Sequence, residues 1–244
     1  AIDFENVSLR YAGAGGDSLD GITFRASRGQ TIGVIGGTGS GKTSLVNLIP
    51  RFYDATGGVV RVDGADVKDY PMQSLRRRIG VVPQKAVLFK GTIRENLLWG
   101  DPNASEETLH AALRAAQAEE IVAGKENGLD YEIEQGGRNL SGGQRQRLTI
   151  ARALVRRPEI LILDDSASAL DFATDAALRK ALRALPEKPT VVIVSQRTSS
   201  IRHADEILVL DNGRLVGRGT HDELLRSCAV YREIHESQFK KEEA

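Results

Sequence analysis

The chain has 244 residues, one to two domains at roughly 150 residues each and enough to bury a sizeable core. Lys plus Arg equals Asp plus Glu at 33 each and the pI is near 7.1, so the chain lacks the net positive field that gathers nucleic-acid phosphates. The longest aliphatic runs, ILIL from residue 160 and VVIV from 191, fall far short of the ~20 apolar residues that cross a bilayer, and a single Cys228 permits no internal disulfide and suits a reducing compartment.

From the N-terminus, Ile2 and Phe4, then Val7, Leu9 and Tyr11, then Ile22 and Phe24 alternate with polar residues between turn signals such as GAGGD, which predicts an antiparallel sheet in about the first 70 residues. The opening AIDFENVSL holds neither an initiator methionine nor a signal peptide, and Met72 is the only methionine, so the chain reads as a segment of a longer polypeptide. TIGVIG (31–36), EILILD (159–164) and TVVIVS (190–195) are nearly continuous in apolar residues, the pattern of parallel strands covered on both faces. Between them Ser105 with Glu106 and Glu107 forms an N-cap and acidic first turn, and Leu109, Leu113 and Ala116 follow at helical spacing. A helical subdomain is expected over 85–156, set into an α/β core made of 1–84 and 157–220. A terminal helix is expected over 221–244, ending in solvated charge.

The strand TIGVIG runs into GGTGSGKT, which is Gly36, Gly37, Thr38, Gly39, Ser40, Gly41, Lys42 and Thr43, followed by Ser44 and a helical pattern. This is the phosphate-binding P-loop motif in its proper strand-to-helix context. Glycines let the backbone wrap a phosphate, Lys42 reaches the β and γ phosphates of a nucleotide, and the Thr43 hydroxyl holds Mg²⁺. Asp164, at the end of a buried strand, is the candidate second partner of that ion. The motif alone leaves kinases, GTPases and motor ATPases open.

The stretch NLSGGQRQRLTIARALVRRPEILILDD narrows the choice. Ser141 and Gln144 have capping-box spacing, yet Gly142 and Gly143 each cost a helix's first turn roughly 1 kcal/mol against alanine, which makes sense if backbone amides there must approach a phosphate. Leu140 to Gln144, a helix and then a carboxylate-ending strand resemble the nucleotide-binding domain of an ABC transporter over essentially the whole chain. The resemblance implies a P-loop NTPase (RecA-like) core with an N-terminal antiparallel β-subdomain and an inserted α-helical subdomain, and an ATPase that takes ATP and Mg²⁺. It implies an adenine-stacking role for Tyr11 and a Q-loop role for Gln84, which touches Mg²⁺ or the attacking water and links the site to the membrane domain. It further implies a D-loop at Ser168, Ala169, Leu170 and Asp171. RFYDATGGVVRVDG and GTIRENLLWG are similar to the exporter branch, in which two such domains stack head to tail and each ATP lies between one P-loop and the opposite LSGGQ.

Two positions depart from the family's pattern. Asp165 stands where the family carries a catalytic glutamate, and Gln196 where it carries the switch histidine. A carboxylate one methylene shorter falls about 1 Å short of its water, worth on the order of a hundredfold in rate, and an amide donates a hydrogen bond but carries no proton or positive charge. Together they resemble the degenerate half of a heterodimeric bacterial multidrug or lipid-type exporter, whose intact LSGGQ serves the partner's site. The expected partners are a second, different ABC nucleotide-binding domain and the coupling helices of a transmembrane domain, with no nucleic acid, at the cytoplasmic face of the cell membrane. The other readings are a homodimeric exporter ATPase with Asp165 as a slow base, a non-transport ABC ATPase, and a nucleotide-binding regulatory module.

Overall fold

A computed structural model describes residues 1–242. In chain order the elements begin β1 (Ile2–Leu9), β2 (Leu19–Ala26), β3 (Thr31–Gly36), α1 (Lys42–Asn47), β4 (Gly57–Val62), β5 (Ala65–Asp66), α2 (Met72–Arg77) and β6 (Ile79–Val82). Next come β7 (Gly91–Thr92), α3 (Ile93–Leu98), α4 (Glu106–Ala115), α5 (Glu119–Ala123), β8 (Glu132–Ile133) and α6 (Gly142–Val155). The chain continues through β9 (Ile160–Asp164), α7 (Phe172–Arg183), β10 (Thr190–Val194), α8 (Thr198–Ile201), β11 (Glu206–Asp211), β12 (Arg214–Gly219), α9 (His221–Ser227) and α10 (Ala229–Glu242). These elements form two compact units, one of Ala1–Ile79 with the chain from Pro189 onward, the other of Gly80–Lys188.

In the first unit the N-terminal sheet runs β2-β1-β4-β5, antiparallel at every pairing. Its alternation is the one the sequence predicts, with Ile2, Phe4, Val7 and Leu9 of β1 buried beside Leu19, Ile22, Phe24 and Ala26 of β2. Phe4 sits opposite Phe24 and their rings stack at 4.6 Å, a cross-strand aromatic pair that holds the register. A second sheet runs β12-β11-β3-β10, in which β3 lies parallel between β10 and β11 and the β11–β12 hairpin is antiparallel. Ile32, Val34 and Ile35 of β3 and every residue of β10 are buried, as expected of strands covered on both faces. This register puts the loops after β3 and β10 at the carboxyl ends of neighbouring parallel strands, where α/β sheets bind ligands.

The second unit is mainly helical around the neighbouring strands β6 and β9. All five residues of β9 are buried. Helix α6 buries Leu148, Ile150, Ala151, Leu154 and Val155 and packs against α3 and α4, whose inward face includes Leu109, Ala112 and Leu113. Side-chain caps open each of these helices: Thr92 and Glu95 form a capping box on α3, Ser105 accepts from the Thr108 amide on α4, and Ser141 and Gln144 form a second box on α6. The span expected as one C-terminal helix divides in two, because Cys228 is extended and Arg232 donates to the last carbonyls of α9, Leu225 and Arg226. No helix among the described residues is long and apolar enough to cross a membrane.

Candidate active site

The loop between β3 and α1 lies in the first unit. Gly41, the N-cap of α1, adopts φ of 104°, and a Cβ there would lie 2.7 Å from the Ser18 carbonyl oxygen, so both conformation and space require glycine. Lys42 turns back over the loop, and its Nζ donates to the carbonyl oxygens of Gly36 at 2.9 Å and Gly37 at 2.7 Å. The loop borders a cavity of about 540 Å³ lined by Asp17, Ser18, the stretch Gly39–Ser44, Asn212 and Gly213. Gly36, Gly37 and Thr38 lead into this stretch from the strand end. Tyr11 joins the same neighbourhood, since its hydroxyl is 2.7 Å from Ser44 Oγ and its ring meets Tyr53 edge-on at 4.9 Å.

Asp17, Ser18, Asn212 and Gly213 are absent from the motif-based site. The turn between β11 and β12 is tied to the P-loop by Gly213 N–H to Ser40 O at 3.0 Å and to β2 by Asp20 N–H to Gly213 O at 2.8 Å. Asp-Asn-Gly at 211–213 is a hairpin signal in the sequence, and Asn212 and Gly213 take the positive φ such turns demand, 46° and 77°. Gln196 lies exposed on the loop after β10, in the same unit as the P-loop.

The second unit carries the carboxylates. Asp164 ends β9, buried, and Asp165 follows at φ of 49°, a left-handed conformation that aspartate tolerates better than most residues. Gln84 Nε2 donates to Asp165 Oδ2 at 3.2 Å, so two residues far apart in sequence meet. The Asp165 carbonyl accepts from the amide and hydroxyl of Ser168, which ties the start of the D-loop to the same turn. Asp171 closes the D-loop by capping α7 through the Thr174 amide at 2.8 Å, and that bond holds its carboxyl below the usual range. Ser168, Ala169 and Asp171 are exposed while Leu170 is buried.

At the start of α6, Ser141 and Gly142 are exposed and Leu140 is buried beneath them. The Ser141 hydroxyl accepts from the Gln144 amide at 3.1 Å and the Gln144 side chain accepts from the Ser141 amide at 3.0 Å, which aims the helix's amino end at solvent. A Cβ on Gly143 would come 3.3 Å from the Ala169 carbonyl, so the signature turn and D-loop lie against one another. Arg145 steadies the approach by donating to Leu140 O at 2.6 Å. A groove of about 530 Å³ elsewhere in this unit is lined by Phe89, Lys90, Glu95, Asn96, Leu98, Trp99 and Pro102. Phe89 and Trp99 meet at 5.2 Å between ring centres and stay 45 % and 65 % exposed, so the groove has an apolar floor open to solvent. Buried Asn96 pins that loop with three bonds, to Phe89 N, Phe89 O and Thr92 O.

A strand, P-loop and helix beside parallel strands, with a carboxylate-ending strand and a capped glycine turn, define an ATPase domain of the P-loop NTPase fold. The profile of the family described as ABC transporter matches residues 19–168, and the chain belongs to that family. It is 45% identical over 241 residues to the ABC transporter ATP-binding protein YfiB of Bacillus subtilis, covering 99% of this chain and 42% of that protein. It is 46% identical over 231 residues to an ATP-dependent lipid A-core flippase of Albidiferax ferrireducens, covering 94% and 40%. Among solved structures it superposes on a bacterial Atm1-family ABC exporter with ATP bound at a TM-score of 0.93, with 37% identity, 97% of this chain and 42% of that one. The chain thus spans about two fifths of the length of these relatives.

Proposed function

We propose that the chain binds ATP with Mg²⁺ at its P-loop and, with a second nucleotide-binding domain, powers export through a transmembrane domain at the cytoplasmic face of the membrane. The phosphates lie along the amides of Gly36 to Gly41, with Lys42 released from the Gly36 and Gly37 carbonyls to meet the β and γ phosphates. Tyr11 stacks on the adenine, and Ser44 lies beside it. Thr43 of the first unit offers a hydroxyl, and Gln84 and Asp164 of the second an amide oxygen and a carboxylate, each a hard oxygen donor of the kind that Mg²⁺ takes alongside substrate phosphates. Mg²⁺, when bound, neutralises charge developing between the β and γ phosphates.

The assembly we infer is a heterodimer in which this chain's own site holds nucleotide and turns it over slowly, while its signature completes the partner's faster site. The observation that carries this reading is an asymmetry within one unit: Asp165 stands at the base position, whereas Leu140 to Gln144 are intact and present an exposed, doubly capped amino end. Ser168, Ala169, Leu170 and Asp171 would cross the same interface. Gln196 donates to the γ phosphate without supplying charge. The Phe89 and Trp99 groove is the surface on which coupling helices dock, and Gln84, on the segment leading to that groove, links docking to the site. The relatives described as a lipid A-core flippase and an Atm1-family exporter support the exporter branch.

One observation favours a second reading, a homodimer with a slow base. The Asp165 carboxylate is held in place by the Gln84 amide at 3.2 Å, as a positioned base would be. Steady-state ATPase of the purified chain alone separates the two. Turnover well below the enzyme median of roughly 10 per second is expected, and turnover near that median would overturn the degenerate assignment.

A further inference from the structure

The loop that carries Gln196 is held by the C-terminal helix. Gln238 of α10 donates from Nε2 to the Gln196 carbonyl at 2.5 Å, and its Oε1 accepts from the Thr198 amide at 3.0 Å and the Thr198 hydroxyl at 3.1 Å. Since Thr198 Oγ1 gives its proton to Gln238, its lone pair takes one from His235 Nδ1, 3.0 Å away. Helix α8 opens at Thr198 with no side-chain cap from Arg197, so an amide oxygen forty residues onward satisfies the orphan N–H that a local cap would normally serve. On the other side, buried Ser195 accepts from the Arg197 amide at 3.0 Å. The backbone on both sides of Gln196 is therefore tied down, while its side chain projects to solvent. His235 is itself packed between Phe239 at 4.6 Å and His221 at 5.1 Å, which sets the ring that supports Thr198.

We propose that Gln238, seconded by His235, is a positioning residue for Gln196: α10 latches the loop after β10 and thereby sets how well this site tells a nucleoside triphosphate from a diphosphate. The inference rests on the reading of Gln196 as the donor to the γ phosphate. A loop loosened by loss of the latch lets that donor drift, and only a ligand with a γ phosphate feels the change. A residue serving stability alone would weaken both nucleotides together or neither.

The test uses the assembled transporter and measures Mg²⁺-AMP-PNP and Mg²⁺-ADP binding at this chain's site in wild type, Gln238→Leu, Gln238→Glu and Gln196→Ala. Hydrogen exchange of the segment 195–202 is followed alongside. Gln238→Glu keeps the shape and the acceptor for Thr198 but removes the donor to the Gln196 carbonyl, so it remains informative if Gln238→Leu folds poorly. The expected result is faster exchange of the segment and AMP-PNP binding weakened by about tenfold in both Gln238 variants, the scale of one hydrogen bond to a charged group, with ADP changed less than about twofold. Unchanged exchange and unchanged AMP-PNP binding in both, while Gln196→Ala discriminates, would overturn the latch and leave the role of Gln196 standing. Equal binding of both nucleotides in Gln196→Ala and wild type would instead overturn the role of Gln196, and with it the nucleotide selectivity ascribed to the latch, with hydrogen exchange alone deciding whether Gln238 holds the loop.

Discussion

Gln84 Nε2 lies 3.2 Å from Asp165 Oδ2, so the amide that begins the segment toward the Phe89 and Trp99 groove touches the carboxylate proposed as the base. The same aspartate sits at φ of 49°, where a short polar side chain is tolerated and a longer one is less at ease. Chemistry and backbone therefore pull in opposite directions at residue 165.

That opposition gives a paired expectation. Asp165→Glu restores reach to the base and loses up to about 1 kcal/mol of backbone fit, read as a melting point about 2–4 °C lower. Asp165→Glu with Gln196→His should raise ATP turnover more than either change singly. A double variant no faster than wild type would show that the two departures do not limit turnover.

Lys42→Ala should abolish most of the melting-point rise that Mg²⁺-ATP gives the wild-type chain, since a ligand bound only to the folded state stabilises by mass action. In wild type, Lys42 Nζ is already held over the loop by the Gly36 and Gly37 carbonyls, so the substitution removes both that internal contact and the contact to phosphate. Differential scanning calorimetry with and without nucleotide measures this. Equal shifts in the two proteins would overturn the assignment of Lys42.

Much of the site is written in local sequence. β3, β9 and β10 follow the continuous apolar runs almost to the residue, and Ser105 and Ser141 cap the helices that their spacing announces. What local pattern does not carry is contact made through hairpins and distant helices. Asn212 and Gly213 reach the P-loop only because β11 pairs beside β3, and Gln238 reaches Gln196 only because α10 packs back on the sheet. The break at Cys228 is invisible for the same reason, since Arg232 ends α9 from the following helix.

Acid should weaken the C-terminal packing. His221 is buried with Nδ1 2.6 Å from the Tyr231 hydroxyl, and its pKa is lowered first by burial, then by His235, Arg202 and His203, with Asp222 opposing. Burial likewise pushes Tyr231 up to about 12, so that hydroxyl stays protonated. A histidine with a depressed folded pKa binds fewer protons folded than unfolded. Its contribution is therefore complete above the unfolded value of about 6.5 and is lost as pH falls from there toward the folded value. Thermal melts from pH 7.5 to 5.5 should show a steady fall in wild type and a shallower one in His221→Gln. Equal slopes would assign the acid sensitivity elsewhere.

The heterodimer makes the sharpest demand, because it predicts different costs for damage at two positions of one unit, Ser141 and Asp165. Ser141→Arg puts bulk and charge at the exposed amino end of α6, which in the proposed assembly faces the partner's nucleotide, whereas Asp165→Asn removes a base from a site expected to be nearly idle. The arginine also forfeits the cap on the Gln144 amide, worth about 1 kcal/mol, so a melt of each variant checks that both remain folded. In the reconstituted pair, steady-state ATPase should collapse in Ser141→Arg and survive largely in Asp165→Asn. The partner is expected to carry a glutamate after its own buried strand and a histidine at its switch. If Asp165→Asn loses as much activity as Ser141→Arg, both sites hydrolyse, the assembly is functionally symmetric, and Asp165 is a working base despite its short reach.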